Sequence, residues 1–161
     1  MSDLLPTSTS QSRAGDAVRS IVVEREIGIA ASRPIVWECL LEEMVNLNEP
    51  GGSSLSFKFE PFPGGRWYRD LGEDRGHLWA HVQVIKPPAL LELTGPLFMS
   101  MPALSHVQYR LTESGPAATR LKLTHQAIGP IPDDTVAGMD HGWGQQLESI
   151  AKLAARRADG A

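Results

Sequence analysis

Residues 64–125 read GGRWYRDLGEDRGHLWAHVQVIKPPALLELTGPLFMSMPALSHVQYRLTESGPAATRLKLTH. Short alternating segments separated by turn signals make this a run of paired strands. The turns are PFPGG at 61–65, DLGEDRG at 70–76 and Gly115-Pro116 between the last two strands. The strand 77–85 stops at Pro87-Pro88, because proline has no N–H to give a ladder. Further strands are expected at 90–94, 106–112 and 119–126. Between two of them lies GPLFMSMP at 95–102, which carries Leu97, Phe98, Met99 and Met101. A surface connection is normally polar because its backbone must be solvated. These side chains therefore mark a rim that covers a cavity or meets a partner.

Upstream, Leu55, Phe57 and Phe59 alternate with Ser56, Lys58 and Glu60, as in a half-buried strand. Trp37, Leu40, Leu41 and Met44 recur at helical spacing behind an N-cap at Ser32 and a first-turn proline, Pro34. Cys39 falls on the opposite side of that helix, where it is expected to be inert. Pro50-Gly51-Gly52 ends the helical segment. The first strand begins near Ser20, with Val23, Ile27 and Ile29 on one side and Arg25 intruding on that face. Arg25 reads either as a residue at a wet edge or as an anchor for an anion. Residues 1–19 are rich in Ser and Thr and are expected to form a disordered tail.

Downstream, Pro130 and Pro132 lead to a final helix for which Asp133 is the expected cap. Val136, Met139, Trp143, Leu147, Ile150 and Ala154 form one continuous apolar stripe. Gly138, Gly142 and Gly144 interrupt it, at about 1 kcal/mol each relative to alanine. Their missing side chains leave room for a ligand, or allow close helix–sheet packing, or mean that the helix starts later. The order is strand, helical pair, about six strands, long helix. That order predicts an α+β domain over 20–158, in which an antiparallel sheet buries one face against the helix.

Composition bounds the function. The 161 residues suffice for one domain with a sizeable core, and 42% apolar with 21% charged content is an ordinary globular balance. A net charge of −4 without a basic patch argues against nucleic-acid binding. Cys39 is the only cysteine, which rules out an intrachain disulfide and a cysteine-based zinc site. No apolar run reaches the roughly 18 residues needed to span a bilayer. The first residues lack the basic and apolar regions of a secretory signal, so the expected location is cytoplasmic.

The chain resembles the START-like superfamily (SRPBCC, helix-grip fold), and within it the branch named for the activator of the heat-shock-protein ATPase. The resemblance runs from about Val22 to Ala155. It rests on REIGIAASRPIVWECL at 25–40, PGGRW at 63–67 and the Gly76, Pro87-Pro88, Leu91 pattern. SHVQYRLTE at 105–113, TRLKLTH at 119–125 and GWGQQLESI at 142–150 follow in order. It implies a curved sheet of about six to seven strands wrapped on a long C-terminal helix, with a short helical pair after the first strand. The superfamily uses its cavity for lipids, sterols, polyketides and plant hormones, and a few members are cyclases or hydrolases. The matching motifs are scaffold motifs and contain no shared catalytic set.

Among residues that could carry chemistry, His77 and His81 share a strand face but stand about 13 Å apart, too far for one metal ion. His106 and His141 are expected to face outward. His125 shares its strand face with Leu121 and Leu123, as a hydrogen-bonded core residue or as a ligand contact or acid–base group. The strand 77–85 has two candidate inner faces. One holds Leu78, Ala80, Val82 and Val84; the other holds His77, Trp79, His81 and Gln83; a β-bulge would mix them. No nucleophile elbow or phosphate loop is present, and the predicted inner faces carry no paired carboxylates.

The expected function is binding of a small hydrophobic or amphipathic molecule between sheet and final helix, without metal or cofactor. Phe98 and Met101 would stand at the mouth, with Trp67, Trp79, Leu93, Tyr109, His125, Met139 and Trp143 as lining. Two alternatives remain. One is a cyclase- or hydrolase-type enzyme using His125, with Tyr109 or Gln146, as acid or base. The other is an interaction or chaperone-linked module, or a homodimer, that uses the 95–102 loop.

Overall fold

The computed structural model describes residues 17–47 and 56–160. The expected tail therefore lies, up to residue 16, outside the described residues. The elements are β1 (Arg19–Ile29), α1 (Arg33–Val45), β2 (Phe57–Phe59), β3 (Arg66–Gly72), β4 (Arg75–Lys86), β5 (Leu90–Gly95), β6 (Leu104–Gly115), β7 (Ala118–Gly129) and α2 (Asp133–Asp159). The second member of the helical pair expected before β2 falls outside the described residues. All neighbouring strands run antiparallel, in the order β1-β7-β6-β5-β4-β3-β2. This is the α+β helix-grip arrangement, a curved seven-stranded sheet with α2 as its second layer.

Period-two alternation sets the inner face. Ser105, Val107, Tyr109 and Leu111 on β6 are buried beside Thr119, Leu121, Leu123, His125 and Ala127 on β7. Their register pairs Leu111 with Leu121, Tyr109 with Leu123 and Val107 with His125, so one continuous wall results. A one-residue slip would turn every one of these side chains into water. Helix α2 covers that wall with Met139, Trp143, Leu147, Ile150 and Ala154 of the expected stripe, all buried, while Val136 at its start is half-buried. Burying each of the large ones is worth roughly 1.5–3 kcal/mol.

Several local expectations change. The turn expected over 70–76 contracts to a hairpin tip at Glu73 and Asp74, both with positive φ, and the strands extend to meet it. Pro132, not Asp133, holds the position before α2, and Asp133 is its first residue. Cys39 is fully buried rather than outward. Helix α1 is covered on two flanks, by the sheet and by α2, where Arg157 pairs with Glu42 at 2.8 Å. Arg25 does lie exposed on the edge strand β1, and the anion it holds belongs to the chain itself. Its guanidinium donates to both carboxylate oxygens of Asp140 on α2, at 2.8 and 2.7 Å.

Strand β4 resolves its two candidate faces with two bulges. Trp67 pairs with Ala80 but Tyr68 pairs with Leu78, which leaves Trp79 as the extra residue. Val82 pairs with Leu93 but Val84 with Glu92, which leaves Gln83 extra. The first bulge turns both Trp79 and Ala80 inward. Trp79 packs against Phe57 and Trp67, with ring centroids 4.6 and 5.1 Å away, while His81 and Gln83 stay exposed.

Thr119 is fully buried, and its hydroxyl donates to the Ala31 carbonyl at 2.7 Å, which ties β7 to the turn that starts α1. Thr119→Val keeps the shape but leaves that carbonyl unpaired. It should lower unfolding free energy by about 1–3 kcal/mol in a denaturant titration; an unchanged midpoint would show that the bond contributes nothing net.

Candidate functional site: a cavity between sheet and helix

The sheet is wider than the helix that covers it, and the leftover space is a cavity of about 1030 Å³. Its wall comes from five segments. The last turn of α1 supplies Glu43, followed by Asn46 and Leu47 just beyond the helix; β3 and β4 supply Trp67 and Trp79. The 95–102 loop supplies Phe98, Met99, Ser100 and Met101. Helix α2 supplies a face from Thr135 to Ser149 that includes Met139, Trp143 and Gln146.

The aromatic side of this wall is rigid for identifiable reasons. Trp67 is fully buried, and its indole N–H donates to the Met44 carbonyl at 2.8 Å. That carbonyl lies in the last turn of α1, where no intrahelical partner is available. Trp79 stacks edge-on between Trp67 and Phe98, the latter 5.9 Å away. The loop is held down where the Leu97 N–H donates to the Trp79 carbonyl at 2.8 Å. Gly95 permits that approach, since a Cβ there would stand 2.3 Å from the same carbonyl oxygen.

The loop is less of a patch than its composition implies. Leu97 is fully buried and Met99 is 3% exposed, so both belong to the core, and Phe98 is the large side chain left 38% exposed. The helix glycines divide. A Cβ on Gly138 or Gly142 would meet nothing within 4 Å, and both border the cavity. Gly144 instead lies over the Arg25 guanidinium, with a built Cβ 3.4 Å from its central carbon.

Of the residues expected to line the site, Trp67, Trp79, Phe98, Met101, Met139 and Trp143 do border the cavity. Leu93, Tyr109 and His125 do not; all are fully buried behind the wall. For His125 the reason is visible in its partners. The Trp143 indole N–H donates to Nδ1 at 2.9 Å, and Nε2 stands 2.8 Å from Ser105 Oγ. An indole nitrogen is only a donor, so Nδ1 must accept and the neutral ring keeps its proton on Nε2, donating to Ser105. Both ring nitrogens are occupied and no atom is exposed, so proton transfer to an occupant of the cavity does not start from His125.

Tyr109 reaches the wall indirectly. Its buried hydroxyl donates to Gln146 Oε1 at 2.6 Å. Burial pushes the phenol well above its usual value, which keeps it neutral, although the Gln146 bond pulls the other way. Gln146 signals itself in the sequence by standing three residues after Trp143 on the apolar stripe. Glu43 does not: nothing in its helical context distinguishes it from neighbouring glutamates. Burial, and then the nearby Glu42, push its carboxyl above the usual range. Among the described residues no cluster of His, Cys, Asp or Glu could hold a metal ion. No described helix is long and apolar enough to cross a membrane.

A curved sheet gripping a long helix beside a half-open cavity defines a helix-grip protein of the START-like class. The family model for Activator of Hsp90 ATPase homolog 1-like proteins matches residues 31–155, and the chain belongs to that family. Protein MLL2253 from Mesorhizobium loti is similar at 25% identity and a TM-score of 0.58, over 86% of this chain and 98% of that one. Protein CV1439 from Chromobacterium violaceum aligns at 16% identity and a TM-score of 0.64, over 83% of this chain and 96% of that one. A point mutant of norcoclaurine synthase from Thalictrum flavum, in complex with a transition-state analogue, aligns at 14% identity and a TM-score of 0.59. It covers 88% of this chain and 98% of its own. The last two likenesses show the fold alone. No match was found among curated proteins.

Burial holds the His125 imidazole below its usual value of 6.5, at about 4. The unfolded chain therefore takes up this proton near pH 6.5 and the folded chain only near 4, so the neutral ring's contribution is complete above 6.5 and lost as pH falls through that window. The loss should approach about 3 kcal/mol by pH 4. Denaturation midpoints at pH 7.5 and 4.5 should show it, and His125→Gln should flatten the difference; an equal slope in both proteins would contradict the assignment.

Proposed function

We propose that this protein binds a small hydrophobic or amphipathic molecule in the cavity between its sheet and α2. The observation that carries the reading is a space of about 1030 Å³ walled by Trp67, Trp79, Met139 and Trp143. Small-molecule sites commonly occupy about 300–1,000 Å³ and combine apolar walls with a few polar groups. The two cavity-facing glycines of α2 support it. Glycine costs about 1 kcal/mol in a helix interior, and here neither one is needed for packing, since a Cβ at either would meet open space. Family membership is consistent with a ligand-binding role, and the unit assigned to it is the stretch 20–158. Phe98 and Met101 would act as the gate through which the ligand enters.

A neutral dye whose fluorescence rises in apolar surroundings, such as Nile red, tests this directly. Wild type should take up about one dye per chain. Gly142→Leu should keep the fold, with an unchanged or raised Tm, yet bind at least about tenfold more weakly because its side chain occupies the cavity. No saturable uptake by wild type, or equal uptake by the variant, would sink the reading.

A further inference from the structure

Glu42 and Glu43 are neighbours in the last turn of α1, and their surroundings differ. Glu42 meets Arg157 of α2 at 2.8 Å, and the hydrogen bond from that guanidinium holds its carboxyl below the usual range. Glu43 borders the cavity and is half-buried. Burial, and then the charge of Glu42, push its carboxyl up, and no described cation pulls it back. A carboxylate that loses part of its water without gaining a partner is costly, and a cation brought beside it offsets that cost. Asn46, three residues further on, borders the same space and adds an amide next to that carboxyl.

The rest of the wall suits the same occupant. Trp67, Trp79, Phe98 and Trp143 all border the cavity, and an aromatic ring attracts a cation over its face through its quadrupole. The whole chain carries a net charge of −4, and the stretch 48–55 that follows Leu47 in sequence contains Glu49 but no lysine or arginine. That balance draws cations rather than anions toward the molecule. We propose that the cavity takes a cationic amphiphile, with an ammonium group beside Glu43 and an apolar body against Trp67, Trp79 and Trp143. This rests on the binding reading above and names the ligand class for that site.

Displacement of Nile red at pH 7 by two isosteres isolates the charge. One is (2-naphthylmethyl)trimethylammonium; the other is 2-neopentylnaphthalene, in which carbon replaces the nitrogen. In a cavity without a counter-charge the ammonium is the weaker of the two, because it must shed water. Here it should displace the dye at an equal or lower concentration in wild type. Glu43→Gln keeps the shape of the side chain, so the hydrocarbon should be unaffected while the ammonium needs at least about tenfold more. An ammonium weaker than the hydrocarbon in wild type would overturn the proposal without any variant. An ammonium equally potent on wild type and Glu43→Gln would overturn it as well. So would failure of both compounds to displace bound dye, with the cavity reading intact. No dye uptake at all would remove the cavity reading itself, and this assignment with it.

Discussion

One helix must cover a sheet far wider than itself, and most of this structure follows from that mismatch. Seven strands about 4.8 Å apart would span roughly 29 Å if flat, whereas a helix with its side chains is about 10–12 Å across. Helix α2 therefore covers only part of the inner face. The sheet curves, α1 closes one flank, and the apolar 95–102 loop folds over another. What these do not fill is the cavity. Its size is thus a consequence of layer geometry, while its chemistry depends on the few side chains that reach into it.

The position of α2 on that face is fixed by polar contacts as well as by its apolar stripe. Trp143 donates to His125, and Gln146 accepts from Tyr109, so two strands grip two successive turns of the helix from inside. Outside, Arg25 holds Asp140 through two bonds. The inner contacts are the stronger constraint, since buried hydrogen bonds avoid an unpaired-group penalty that exposed ion pairs never face. They also explain why a histidine on an apolar stripe is a structural latch here. Its nitrogens are already spent on Ser105 and Trp143.

Much of the architecture was legible in the alternation of residues along the chain. The inner faces of β6 and β7, the α2 stripe and the hairpin at Gly115-Pro116 follow from local periodicity. The glycines at 138 and 142 were legible as candidates for space, though not as distinct from Gly144. The misses have a common cause. Cys39, Leu97 and Met99 were placed by the pattern of their own segment, and each is buried by a different one: α2 against α1, and the sheet under the loop. Glu43 carried no signal, since a carboxylate on a helix is ordinary until an aromatic wall is built beside it.

The sequence by itself determined the element order, the antiparallel sheet backed by a long helix, and the residues turned toward the core on most strands. It did so because side-chain period and turn chemistry are local properties. Only the tertiary structure decided which core residues meet empty space. Trp79 faces inward because a bulge adds a residue to β4, and bulges depend on the register with β3 and β5. Tyr109 and His125 sit behind the wall while Gln146 stands in it, because α2 crosses the sheet at one particular depth. That depth is set by contacts between residues more than 17 positions apart, which no window along the chain contains.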